Sequence, residues 1–148
     1  MQREKFTILL ADDDEDDCMF FRDALNELSL PVSLKIVANG ADLMNFLENN
    51  PVDLPRVLFL DLNMPRKTGI ECLSEIKRSE KLKELPVIIY STSFNPDVMD
   101  LLYNKGAQHY IRKPVDFEHL KSVINKAIVL SSPENDVEPL KEKFVIQP

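Results

Sequence analysis

Glycine is scarce in this chain, with three residues in 148: Gly40, Gly69 and Gly106. Each has a local turn to serve. Gly40 opens a predicted helix after Asn39, Gly69 relaxes the turn into the next, and Gly106 stands just past a helix end. None is left for a phosphate cradle, and neither GxGxxG nor GxxxxGK[ST] occurs, so nucleotide-binding readings lose their main support. Cysteine is as rare. Cys18 and Cys72 fall in helix-like segments and form no CxxC pair, which argues against zinc and a disulfide framework and for two reduced, buried thiols. No apolar run approaches the ~18 residues that span a bilayer, and the first five residues carry no signal-peptide pattern. No membrane role is therefore expected, and the cytoplasm is the expected compartment. Positive charge is also in deficit: 18 Lys and Arg face 25 Asp and Glu, a net charge of −7. Such a field repels phosphate backbones and argues against direct nucleic-acid binding.

What is present is an alternation. The short apolar runs 7–11, 34–38, 57–60, 87–90 and 109–112 are separated by periodic stretches at about 14–28, 40–49, 69–79, 95–105 and 116–130. The first, third and fourth runs are almost unbroken Ile, Leu, Val and Phe, as in parallel strands covered on both faces. Between them, apolar residues recur at helical spacing: Phe21, Leu25, Leu28; Ile70, Leu73, Ile76; Leu120, Val123, Ile124, Ala127. Five strand–helix alternations predict an α/β fold, a doubly wound five-stranded parallel sheet with right-handed crossovers. Residues 1–130 form one domain on this reading, and 131–148 a C-terminal tail. The tail is Pro-punctuated, with one apolar cluster, Phe144-Val145-Ile146. It is either frayed or docked on its own domain or a partner, and too short for an output domain.

In open α/β sheets ligands collect beyond the carboxyl ends of the strands. Here those ends carry Asp12, Asp13 and Asp14 after the first strand and Asp61 after the third. Ser91 and Thr92 follow the fourth, and Lys113-Pro114 the fifth. Carboxylates gathered within ~4–6 Å repel one another, and burial adds to the difficulty of keeping them ionised. A divalent cation with all-oxygen ligands, Mg²⁺ or Mn²⁺, removes that conflict. One carboxylate can then attack a phosphoryl group while metal, ammonium and hydroxyl share the charge on its oxygens.

Four strings now carry a resemblance. Ile8-Leu9-Leu10-Ala11-Asp12-Asp13-Asp14 is similar to the acidic start of response-regulator receiver domains. Leu60-Asp61-Leu62-Asn63-Met64-Pro65 with Gly69 resembles their phosphorylation motif almost letter for letter. Ser91-Thr92-Ser93 resembles their switch-hydroxyl region, and Tyr110-Ile111-Arg112-Lys113-Pro114 the end of their fifth strand. The strings occur in the family's order, and the resemblance covers roughly residues 5–130. It implies the CheY-like, flavodoxin-like strand order 2-1-3-4-5. It also implies a response regulator of a two-component phosphorelay: Asp61 accepts a phosphoryl group from a sensor histidine kinase, and the signal leaves by altered protein–protein interaction. Catalysis beyond self-phosphorylation and autodephosphorylation is not implied.

The roles carried over are specific. Asp13 and the backbone carbonyl of Asn63 ligate Mg²⁺ with Asp61, while Asp12 acts mainly through water. Ser91, where the family more often has Thr, bonds the phosphoryl oxygen and moves inward. Lys113 pairs with the phosphoryl oxygens, its bond to Pro114 cis, an isomer accessible only before proline. Tyr110 changes rotamer with Ser91, and Asn63 and Ser93 tune hydrolysis. The Asp-rich stretch 12–17, the connection 49–56 and the run 92–95 resemble small cyanobacterial phytochrome-partner regulators. A phytochrome-like kinase, a histidine phosphotransfer protein and a homodimer through the fourth and fifth helices are the partners this implies. Tyr103, Tyr110 and Phe117 are candidate anchors on that face.

Plainer readings apply to several residues. Asp14 to Asp17 fit a solvated helix start, since acids favour the first turn. An EF-hand fails because Asp17 replaces the required Gly and Asp23 the terminal Glu. His109 and His119 lack a second ligand at metal spacing and read as surface histidines. Met64 and Pro65 shape the loop after Asp61. Two rival functions remain. A Mg-dependent phosphatase or phosphotransferase of haloacid-dehalogenase type needs a second Asp two residues after the nucleophile, where this chain has Asn63. A flavodoxin-like carrier needs a phosphate-binding loop where this chain has carboxylates.

Overall fold

The five apolar runs form five strands, and each periodic stretch between them forms a helix. A computed structural model describes residues 5–50, 52–132 and 140–148. Expectations that fall on residues 1–4, on Pro51 in the connection before the third strand, and on 133–139 of the tail lie outside the described residues. In chain order the elements are β1 (Phe6–Ala11), α1 (Glu15–Glu27), β2 (Val32–Val37), α2 (Gly40–Asn49) and β3 (Val57–Leu60). There follow α3 (Gly69–Arg78), β4 (Val87–Ser91), α4 (Pro96–Asn104), β5 (His109–Arg112) and α5 (Phe117–Leu130). The strands make one parallel sheet in the order β2-β1-β3-β4-β5, as the alternation and the resemblance predict.

Local chemistry sets the helix starts. The side chains of Asp14, Asn39, Thr68, Asn95 and Asp116 each accept a backbone N–H from the first turn that follows. Each cap satisfies a donor that no intrahelical carbonyl can reach. Thr68 and Glu71 complete a reciprocal capping box. Gly106 adopts φ +99°, the left-handed geometry that ends α4 and that a side chain would oppose.

Burial splits the core by strand alternation. Leu9, Ala11, Leu58, Leu60, Val87 and Ile89 face α2, α3 and α4, while Ile8, Leu10, Phe59, Ile88 and Tyr90 face α1 and α5. Phe21 on α1 meets Phe59 and Tyr90 edge-on, with ring centroids 5.0 and 5.5 Å away. Such contacts add about 0.5–1.5 kcal/mol each beyond the area they bury. Cys18 and Cys72 are buried free thiols, both pushed up to about 11 by burial. Among the described residues, no helix is long and apolar enough to cross a membrane.

The end of the tail is docked. Residues 140–148 run along the outer edge of β5, where the Tyr110 N–H donates to the Phe144 carbonyl at 3.0 Å and the Ile146 N–H to the Tyr110 carbonyl at 3.0 Å. A parallel bridge pairs Tyr110 with Val145. Strand-like alternation then sends Phe144 into the core face of α2–α4 and Ile146 into that of α1 and α5. Two residues therefore straddle the sheet edge and cover polar backbone that would otherwise be open.

Docking corrects two expectations. His109 is not a surface histidine: it is buried, its Nδ1 3.0 Å from the Phe144 carbonyl. His119 does lie on the surface, 3.5 Å from Asp116. Tyr110 is not an exposed anchor either, being fully buried with Phe144 packed at its side. In both cases the sheet edge that looks free in the strand pattern is covered by chain distant in sequence.

Candidate functional site

The sheet's hydrogen-bond ladder continues one residue past the strands and fixes the acids. The Asp12 N–H donates to the Val37 carbonyl at 3.0 Å, the Asp61 N–H to Ala11 at 2.9 Å, and the Lys113 N–H to Ser91 at 2.8 Å. Adjacent strand ends thus carry Asp12, Asp61, Ser91 and Lys113 side by side, although they are far apart in sequence. Gly69 closes the loop after Asp61: its N–H donates to the Leu62 carbonyl at 3.0 Å. A Cβ there would stand 2.3 Å from the Asp61 carbonyl oxygen, so only glycine permits that approach.

Three of the predicted acids meet. Carboxylate oxygens of Asp12, Asp13 and Asp61 lie within 4.8 Å of one another, Asp12 and Asp61 buried and Asp13 exposed. Asp12 Oδ1 accepts the Asp14 N–H at 3.0 Å, while Oδ2 is buried and faces the Lys113 ammonium. Lys113 Nζ stands 2.8 Å from that oxygen, 2.8 Å from Asp17 Oδ2 and 3.9 Å from Asp61 Oδ2. Asn63 joins the site through its backbone: its N–H and that of Leu62 face the Asp61 carboxylate.

The electrostatics follow from burial and one ammonium. Burial pushes Asp61 up from 3.8 to about 6; Lys113 opposes that rise and Asp12 adds to it. Asp12 is likewise raised by burial, against its bond from Lys113. For Lys113, burial alone would favour the neutral amine, but the bonds to Asp12 and Asp17 outweigh it and keep the ammonium firmly charged. One cation thus serves three carboxylates, leaving an excess of negative charge in a poorly hydrated place. An all-oxygen set drawn from two loops, with one member exposed and more carboxylates than the single ammonium can neutralise, fits a hard divalent cation that keeps some of its water.

The reading side of the site is ordered too. Ser91 is fully buried and its Oγ accepts the Ser93 N–H at 3.2 Å. The Tyr110 hydroxyl donates to the Ser93 carbonyl. Serine and tyrosine therefore share one loop, with Tyr110 turned inward. Met64 is buried in the core beneath the loop, as expected of a shaping residue.

Two sequence expectations change here. No cis peptide bond occurs among the described residues, so Lys113–Pro114 is trans. That isomer is favoured by about 0.5–1 kcal/mol before proline, and Lys113 reaches the acids with it. Asp17 is the residue that sequence reasoning missed, having been grouped with solvated helix acids. Its position was the available signal: at the third residue of α1, a side chain leans back toward the helix start and so toward the strand ends.

Known proteins share the sequence pattern and the fold. Residues 8–125 match the response regulator receiver domain family. The response regulator Rcp1 of Synechocystis is 32% identical over 123 residues, 79% of this chain and 82% of that protein. The probable methanogenesis regulatory protein FilR2 of Methanothrix harundinacea is 32% identical over 126 residues, 83% of this chain and 81% of that one. The crystal structure of the phosphorylated cyanobacterial phytochrome response regulator RcpA superposes with a TM-score of 0.79 at 29% identity, covering 88% and 96% of the two chains. The Mn²⁺-bound form of Rcp1 does so at 0.71 and 28%, covering 97% and 99%. With a doubly wound sheet, an acid cluster at its strand ends and a family match across most of its length, this chain belongs to the response regulator receiver domain family.

Proposed function

We propose that Asp61 is the phosphoryl acceptor of a two-component phosphorelay, with a sensor histidine kinase as donor and altered protein–protein contact as output. The observation that carries this is the placement of Asp61: buried, within 4.8 Å of Asp12 and Asp13, and 3.9 Å from the Lys113 ammonium. A carboxylate oxygen of Asp61 attacks phosphorus, the P–N bond of the phosphohistidine breaks, and the departing imidazole takes up a proton. Asp13, Asp61 and the Asn63 carbonyl would hold Mg²⁺ directly and Asp12 through water. Bound there, the ion neutralises the acids and shares the charge of the transferring group. Lys113 and Ser91 donate to the phosphoryl oxygens, and Ser91 draws Tyr110 and the loop at 92–94 with it.

That movement biases a surface rather than a second catalytic step. The face of α4, β5 and α5 is the proposed output. Leu101 on α4 and Val129 on α5 are 43% and 56% exposed, and Tyr103 on α4 packs edge-on against the docked Phe144. Partner binding, including by a second copy of the chain, is proposed for this face, and sedimentation with and without a phosphoryl mimic tests the second copy. A phytochrome-like kinase and a histidine phosphotransfer protein are the proposed upstream and relay partners, by likeness to the phytochrome response regulators. The dehalogenase-type alternative has no support: the family matched is a different one, and Asn63 stands where a general acid is required.

The test is a mass measurement after incubation with acetyl phosphate. One phosphoryl group per chain, dependent on Mg²⁺ and absent from Asp61→Asn, is the expected result. Addition that persists in Asp61→Asn, or sustained turnover of a phosphate ester, would overturn the assignment.

A further inference from the structure

One carboxylate touches the site without belonging to the acid cluster. Asp17 Oδ2 is 2.8 Å from Lys113 Nζ, as near as Asp12 Oδ2, while Asp61 Oδ2 at 3.9 Å is beyond hydrogen-bond range. The pairing is sheltered, for the Lys113 side chain is 8% exposed and that of Asp17 35%. Asp17 is also held from its own backbone, its N–H bonded to the N-cap Asp14 at 3.0 Å. Asp16, next to it in the same turn, is exposed and makes no ion pair with Lys113.

The two carboxylates that hold Lys113 differ in what a loaded site does to them. Asp12 lies in the cluster with Asp13 and Asp61, so a cation bound there weakens its pull on the ammonium. Asp17 lies outside the cluster, so its pull persists. For Lys113 to close the gap to a group on Asp61, the bond it must loosen is the one to Asp17.

We propose that Asp17 is a positioning residue that competes with the phosphoryl group on Asp61 for Lys113. In the resting protein it draws the ammonium toward the start of α1, and it yields that ammonium when Asp61 is phosphorylated. Asp17 thereby sets how tightly the site grips a phosphoryl group. The inference rests on the proposed role of Asp61, and its test separates the two.

The probe is beryllofluoride with Mg²⁺, titrated into the full chain by calorimetry, with the Lys113 ammonium followed by NMR of labelled lysine side chains. Asp17→Asn and Asp17→Ser remove the competing charge. Asp16→Asn removes the same charge from the same helix turn without touching Lys113, which controls for long-range field and helix-dipole effects. The expected result is beryllofluoride binding tighter by about fivefold or more in both Asp17 variants, the low end of the usual coupling between linked sites. Asp16→Asn changes it by less than about twofold, because exposed charges are screened. In the wild type, the Lys113 ammonium signal shifts on binding; in the Asp17 variants it starts displaced toward the bound position. Equal effects at positions 16 and 17, or weaker binding in the Asp17 variants, would overturn the inference alone. Wild-type protein that binds no beryllofluoride overturns the role of Asp61 and the inference with it.

Discussion

The backbone N–H of Tyr110 donates to the Phe144 carbonyl at 3.0 Å, and the rings of the two residues lie 6.3 Å apart. The inward position of the proposed switch tyrosine is therefore braced by a residue 34 positions further along the chain. Phe144 is 3% exposed and also meets Tyr103 edge-on at 5.3 Å. Truncating a buried phenylalanine costs about 3–5 kcal/mol. The loss is expected to appear first as local opening of the docked segment, which among the described residues pairs with the sheet only along β5. Phe144→Ala is expected to speed amide exchange at Tyr110 and Ile146 by tenfold or more, leaving Leu10 in the central strand unchanged. Unchanged protection at Tyr110 would show that the segment contributes no bracing.

The same carbonyl of Phe144 is bonded by His109 Nδ1, which carries the proton of the neutral ring. Burial holds His109 below its ordinary value of 6.5, against the bonds to Phe144 and Lys143 that favour the charged form. A base lowered in the folded state adds stability that is complete above pH 6.5 and declines as pH falls below it. Protection of Tyr110 and Ile146 is thus expected to fall between pH 7 and pH 5, after correction for intrinsic exchange. His109→Gln should flatten that slope.

Much of this was legible in the sequence, for identifiable reasons. The strand runs are short and nearly pure Ile, Leu, Val and Phe because both sheet faces are covered, and caps such as Asn95-Pro96 mark helix starts within a residue. Asp12, Asp13, Asp61, Ser91 and Lys113 were legible because strand ends in a parallel sheet converge wherever they lie in sequence. Asp17 was not, since an acid in a first helical turn has a sufficient local reason to be there. His109 and the docking of Phe144 and Ile146 were not either. A strand's pattern shows that an edge exists, and only tertiary packing shows what covers it.

Gly69 tests how far the acid loop depends on close approach. A Cβ at this position would meet the Asp61 carbonyl oxygen at 2.3 Å and the Leu62 Cα at 2.8 Å, both backbone atoms that cannot swing aside. Overpacking of this kind typically costs about 1–3 kcal/mol. Gly69→Ala should lower the urea midpoint accordingly. It should also weaken Mg²⁺ binding measured by calorimetry, because relief comes by pushing the Asp61 loop out of register.

Asp61 carries the last expectation, and its sign is opposite to that of His109. Burial raises its pKa from 3.8 to about 6. A carboxyl raised in the folded state contributes stability that is complete below about pH 4 and is lost as pH rises through 6. Above that pH the ionised side chain is a standing penalty of at most roughly 3 kcal/mol, since a tenfold change in proton affinity corresponds to about 1.4 kcal/mol. Asp61→Asn keeps the shape and removes the charge. It should therefore raise stability by about 1–3 kcal/mol at pH 7.5 and change it little at pH 4. Mg²⁺ offsets the same penalty in the wild type, so adding it at pH 7.5 should raise the melting temperature of the wild type more than that of Asp61→Asn. A variant less stable than the wild type at pH 7.5 would mean that Lys113 alone already satisfies the carboxylate. The acid cluster would then have no electrostatic need of a cation.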